Sequence, residues 1–296
     1  MAFNWATFRT RSFTAAVFVV VMLAGLLVNH WTFFILFSVI HFGCWIEYQE
    51  LVGRIDKEYR QITPFHQYGV MIAGWCIMLY FTNDSYDLLG LKLHELGWWS
   101  GLIFVFLLPI TELLFTSNIR LKNIGYSVLG ILYISLSLGL MMDIRSLSFD
   151  AERNIRYVIS PTWHHAVYPS LIIFSLWIND TMAYIIGSLI GKTELSKISP
   201  KKTWEGTVSG IILSAAVMGV ISRLTGILEI KDAVIIAAIC AITGTFGDLL
   251  ESKLKRMAGI KDSGTLMPGH GGFLDRFDSL LFATPFFWLF INLFMR

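Results

Sequence analysis

Apolar runs of about one bilayer thickness, near 20 residues each, recur along the chain and are separated by short polar stretches. They fall at 12–28, 31–47, 68–82, 98–115, 124–142, 168–190, 206–224, 233–247 and 279–294. This pattern predicts an all-α, polytopic membrane protein with about nine spans. The first two runs are nearly continuous. A single helix over 12–46 would be about 52 Å long at 1.5 Å per residue, against a hydrocarbon core of about 30 Å. The polar Asn29-His30 beside Trp31 therefore marks a break between two helices. Arg9 and Arg11 ahead of an apolar run resemble a signal peptide. No small-residue cleavage site follows, so the run reads as a retained first span.

Composition agrees with the pattern. Of 296 residues, 55% are hydrophobic and 15% charged, where a soluble domain has about 25% charged. The net charge of +2 is too small to suggest nucleic acid as a partner. Cys44, Cys76 and Cys240 lie scattered in apolar runs, without disulfide or zinc-ligand spacing. The placement of charge is more informative. With nine spans and the N-terminus inside, sixteen of the 23 Lys and Arg residues fall on inner segments and seven on outer ones. That asymmetry follows the positive-inside rule and puts the N-terminus in the cytoplasm and the C-terminus outside. Two regions are expected: 1–165, with about five spans and an outer loop, and 166–296, with cytoplasmic loops 191–205 and 248–278.

Candidate chemistry is confined to the second region. Asn179 and Asp180 interrupt the sixth span, where a carboxylate costs several kcal/mol unless it is paired or lines a wet cavity. An interhelical hydrogen bond is the structural alternative. Lys201 and Lys202, after Pro200, offer mobile point charges suited to phosphate. Asp248, Glu251, Ser252 and Lys255 share a face if the eighth helix continues past 247, and Arg256 follows. The stretch "KDSGTLMPGHGGFLDRFDS", 261–279, adds Lys261, Asp262, His270, Asp275, Arg276 and Asp278. The carboxylates suit a hard divalent cation, and they equally suit ion pairs with Arg256 and Arg276. Glycines 269, 271 and 272 would let backbone approach a ligand. The mixture of acids, bases and glycines at one membrane face suits metal-assisted phosphoryl or nucleotidyl transfer to a lipid. A transporter is the competing class. It should spread acids over the midplanes of several, often repeated, spans, whereas here they crowd at one face.

The segment "SKLKRMAGIKDSGTLMPGHGGFLDRFD", 252–278, resembles the signature of the phosphatidate cytidylyltransferases, the CDP-diacylglycerol synthases. "NDTMAYIIG", "SPKKTWEG" and "GDLLES" resemble further motifs of that family in the same order. The resemblance is clear over 177–278. It implies transfer of a cytidylyl group from CTP to phosphatidic acid, with Mg²⁺ and an optional second cation such as K⁺, at the inner face of a cell membrane, and it is compatible with a homodimer. It implies Asp248, Asp275, Asp278 and Asp262 as metal ligands, Asp248 and Asp275 foremost. Lys255, Arg256, Lys261 and Arg276 would hold phosphates in the catalytic set. Lys201, Lys202, Ser252, His270, Gly271, Gly272, Asn179 and Asp180 would line the substrate site.

Overall fold

The computed structural model describes residues 5–115, 120–147, 165–264 and 271–295, with side chains from residue 12 onward. His270 and most of the predicted outer loop, 148–164, therefore lie outside the described residues. Nine helices of substantial length occur among the described residues: α1 (Trp5–Leu27), α2 (His30–Ile55), α3 (Pro64–Tyr80), α4 (Leu93–Phe115), α5 (Leu121–Ser146), α6 (Val167–Ile190), α7 (Trp204–Thr225), α8 (Ile230–Met257) and α9 (Leu274–Met295). The strand content among these residues is one two-residue hairpin, Asp87–Leu88 with Leu91–Lys92. Seven of the helices, all but α1 and α3, are long and apolar enough to cross a membrane. The protein is thus an all-α polytopic membrane protein.

The local reasons are legible. The break between the first two helices falls at Asn29, as the length argument requires. Asn29 Oδ1 accepts the Thr32 N–H at 2.8 Å, and Thr32 Oγ1 accepts the Asn29 N–H at 3.1 Å. This reciprocal cap satisfies donors that the first turn of α2 cannot use internally. Thr63 caps α3 ahead of Pro64, which fits the first helical position because it needs no N–H donor there. Two expectations change. The loop predicted at 248–278 begins as helix, because α8 runs on to Met257 on good helix formers such as Leu249, Leu250, Glu251, Lys253 and Leu254. The last helix starts at Leu274, so Asp275 and Asp278 lie in its first two turns.

The chain divides into two compact units. One unit comprises Met1–Asp143 with Leu254–Phe277; the other comprises Ile144–Lys253 with Asp278–Arg296. The first is organised around α2, whose Phe33, Phe37, Ile40, Cys44 and Trp45 are buried. A π-helical stretch at Ile131–Leu136 in α5 carries Ser135, which meets His41 Nε2 at 3.0 Å and accepts from Trp45 Nε1 at 2.9 Å. In the same unit His66 joins Glu112 at 3.0 Å and Ser127 at 2.8 Å, tying α3, α4 and α5. In the second unit α6 and α7 form the most extensive helix pair.

Candidate active site

In the second unit, small residues bring polar ones together. On α6, Asn179, Ala183 and Gly187 recur every fourth residue, and on α7 Gly206 and Gly210 do the same. A Cβ at Gly206 would stand 2.6 Å from the Ala183 carbonyl oxygen, and one at Gly210 2.8 Å from the Asn179 carbonyl oxygen. The two backbones meet without intervening side chains, the geometry small-xxx-small pairs give in membranes. The signal was present in "GTVSG", 206–210, but our sequence reading did not use it. Asn179 is buried, and its Nδ2 donates to Asp180 Oδ1 at 3.2 Å. Its Oδ1 has no donor among the described residues.

The loop before α7 delivers Lys202. Leu195 N–H donates to the Lys202 carbonyl at 2.8 Å and Trp204 N–H to the Thr193 carbonyl at 3.0 Å. Thr203 Oγ1 accepts the Gly206 N–H at 3.2 Å and so caps α7. The ammonium of Lys202, placed at this rigid junction, pairs with Asp248 Oδ2 on α8. Asp248 Oδ1 accepts the Ser252 hydroxyl at 3.2 Å, one turn on, as the predicted common face requires. Gly247 supplies the last approach. A Cβ there would be 2.6 Å from the Asp278 carbonyl oxygen on α9. Asp180, Asp248 and Lys202 all act electrostatically on Asp278, which is buried. Asp180 itself is exposed on α6. Lys201, its neighbour's companion in the sequence, is exposed. Glu251 is fully buried.

Three carboxylates thus share one ammonium. Among the described residues no three acidic, histidine or cysteine side chains converge closely enough to cage a metal by themselves. The donor set nevertheless fits Mg²⁺, which takes one or two carboxylates and completes its octahedron with water and substrate phosphate. Asp248 and Asp278, with Asp180 and the unused Asn179 oxygen beside them, are oxygen donors of that kind.

The first unit holds a different arrangement. Lys255 Nζ donates to Asp275 Oδ1 at 2.6 Å. Asp275 Oδ2 accepts the N–H groups of Ser263 at 2.8 Å and Gly272 at 2.9 Å. Both its oxygens are therefore engaged by protein donors. Asp248 also has both oxygens engaged, but by two donors, Lys202 and Ser252, where Asp275 has three, so Asp275 has less capacity left for a metal. Gly271 has φ +80°, and a Cβ there would meet Asp275 Oδ2 at 2.5 Å. Glycine is needed because the Asp275 carboxylate folds back over the turn. A Cβ on Gly264 or Gly272 would collide with the carboxylate of Glu47. Of the described signature glycines, 271 and 272 are pressed against the protein's own carboxylates, not held open for a ligand. Glu47, at the end of the second predicted span, was missed in the sequence. Its one visible signal is an acid placed inside an otherwise apolar run.

The remaining basic and acidic residues of this segment face solvent. Arg256, Lys261, Asp262 and Arg276 are exposed. Arg256 reaches the Ile260 carbonyl at 3.4 Å. Asp262 is not gathered with the other predicted metal ligands.

Comparison with known proteins places the chain in a family. Residues 9–294 match the family described as the Cytidylyltransferase family. The chain is 32% identical over 228 residues to the phosphatidate cytidylyltransferase of Bacillus subtilis, covering 76% of this chain and 77% of that one. It is 34% identical over 233 residues to that of Staphylococcus haemolyticus, covering 73% and 87%. A shorter match, 42% over 132 residues, relates it to the Haemophilus influenzae phosphatidate cytidylyltransferase. The chain therefore belongs to the cytidylyltransferase family, and its relatives include phosphatidate cytidylyltransferases along three quarters of its length.

Proposed function

We propose that this protein transfers a cytidylyl group from CTP to phosphatidic acid, giving CDP-diacylglycerol and pyrophosphate. The observation that carries the reading is the cluster of Asp180, Asp248 and Asp278 around Lys202, drawn from the signature and from three further motifs, in a membrane protein of this family. An oxygen of the lipid phosphate attacks the α-phosphorus of CTP; the bond to the β-phosphate breaks and pyrophosphate leaves. The attacking phosphate needs little deprotonation near pH 7, since the second pKa of a phosphate monoester is about 6. No general base is called for. Catalysis is positioning and charge stabilisation.

Mg²⁺ held by Asp248 and Asp278 would neutralise phosphate oxygens and the departing pyrophosphate. Lys202 then serves two anions. It pairs with Asp248 in the structure, and with a cation held at Asp248 it would be free to hold a phosphate oxygen. Asp180 and Asn179 stand beside this pair and orient water or substrate hydroxyls. Arg256, Lys261 and Arg276, exposed and basic, attract anionic substrates to the inner membrane face. The proposed topology keeps the N-terminus in the cytoplasm, and the acyl chains stay in the bilayer while the headgroup is processed.

The test is transfer of label from radiolabelled CTP into the organic phase by purified protein in detergent, with phosphatidic acid and Mg²⁺. Lipid-soluble label that disappears with EDTA and with Asp278→Asn is expected. Well-folded protein that gives no lipid-soluble product from phosphatidic acid overturns the reading.

A further inference from the structure

A glutamate in an apolar, membrane-length helix needs a reason, since an unpaired carboxylate there costs several kcal/mol. Glu47 of α2 is 8% exposed. Its Oε1 accepts the Phe273 N–H at 2.9 Å, and its Oε2 accepts the Leu274 N–H at 2.8 Å and the Ser263 hydroxyl at 2.6 Å. These backbone donors belong to the start of α9, where N–H groups have no partner within the helix and the helix dipole favours an anion. Glu47 thus caps α9 from a helix more than 200 residues earlier in the chain. The fit is steric as well as electrostatic. Gly264 and Gly272 lie so near that a methyl on either would strike the carboxylate.

Ser263 extends the effect to Asp275. Its hydroxyl has one proton, and the shorter contact gives that proton to Glu47. Its oxygen accepts the Asp275 N–H at 3.3 Å, while the Ser263 N–H donates to Asp275 Oδ2 at 2.8 Å. Glu47, Ser263 and Asp275 therefore form one chain of contacts ending at Lys255.

We infer that Glu47 is a positioning residue for cytidylyl transfer: its carboxylate fixes the 271–275 turn and, through Ser263, the direction in which Asp275 holds Lys255. This rests on the function proposed above. A purely stabilising Glu47 would alter the amount of folded enzyme but not its turnover. A positioning Glu47 alters kcat of the folded enzyme, because displacement of a catalytic group by about 1 Å can cost on the order of 10²-fold.

The experiment uses the full chain in detergent, with kcat and KM for CTP measured per folded, monodisperse molecule. Glu47→Gln is expected to lower kcat at least about tenfold, with KM for CTP within about threefold of the parent. Glu50→Ala, which removes an exposed partner of Arg54 on the same helix, should change neither. Gly272→Ala should lower kcat by pushing against Glu47. Adding Glu47→Asp, one methylene shorter, should restore part of that loss, at least about threefold. Folded Glu47→Gln with kcat within about threefold of the parent overturns the inference. If Glu47→Gln does not fold, the Gly272 pair decides: no recovery in the double variant overturns it equally. Turnover by the parent with unaffected variants defeats only the role of Glu47. A parent that makes no CDP-diacylglycerol defeats the proposed function, and this inference with it.

Discussion

The two units use carboxylates in opposite ways. In the first, Glu47 and Asp275 spend their oxygens on protein donors: three for Glu47, and Lys255 with two backbone N–H groups for Asp275. In the second, Asp180, Asp248 and Asp278 share one ammonium, Lys202, with the Ser252 hydroxyl on Asp248, the Asn179 amide on Asp180 and the Ser279 N–H on Asp278, so three acids face a single cationic partner. Satisfied carboxylates hold shape. Under-satisfied ones await a cation or a cationic partner, and they lower stability until it arrives. One signature, 252–278, supplies both kinds. Residue type alone therefore does not reveal which acid is structural and which is available to a ligand.

The largest test of this contrast is at Asp278. Asp278→Asn should reduce turnover by about 10³-fold or more through loss of transition-state charge stabilisation. It should leave the unfolding temperature in EDTA unchanged or raised, since a buried like charge is removed. A fall in unfolding temperature without Mg²⁺ would place Asp278 with the structural acids. Asp275→Asn should behave in the reverse sense. Turnover should fall about 10²-fold. The unfolding temperature should drop by several degrees, because hydrogen bonds to a charged group contribute about 1.5–3 kcal/mol each. Thermal unfolding monitored in detergent separates the two. Normal stability together with a weakened Mg²⁺ requirement would restore Asp275 to the metal.

Lys202→Met sharpens the account of the second cluster. It removes the ammonium that competes with a cation for Asp248, so half-saturation by Mg²⁺ should move to lower concentration while KM for CTP rises about tenfold. Mg²⁺ titrations at fixed CTP read both effects, and weaker Mg²⁺ dependence would contradict the competition. The smallest effect is expected at Gly210→Ala. A methyl set 2.9 Å from Asn179 Oδ1 should part α6 from α7 slightly and lower activity severalfold. Isothermal titration of Mg²⁺ and the rate assay should shift together.

Much of the fold was legible because hydropathy is a local property. The break at Asn29 follows from length and capping, and the common face of Asp248 and Ser252 from the helical period once α8 continues past residue 247, a stretch expected as loop. Local reading has no access to the donors that surround each acid. Asp275 stands beside an arginine and near glycines in the sequence, which suggests a ligand site. Gly272 is indeed one of its partners, but as a donor to the carboxylate, and the other two, Ser263 and Lys255, are 12 and 20 residues away.

What the sequence by itself determined is the class of molecule: apolar runs of bilayer length force helices that satisfy their own backbone groups, and the signature names the family. Only the tertiary structure decided how the acids are divided. Glu47 reaches the start of α9 across more than 200 residues, and Gly206, Gly210 and Gly247 let backbones close until Asp180, Asp248 and Asp278 interact. Neither follows from spacing. A carboxylate's role is set by how many donors surround it in three dimensions, and those donors come from distant parts of the chain.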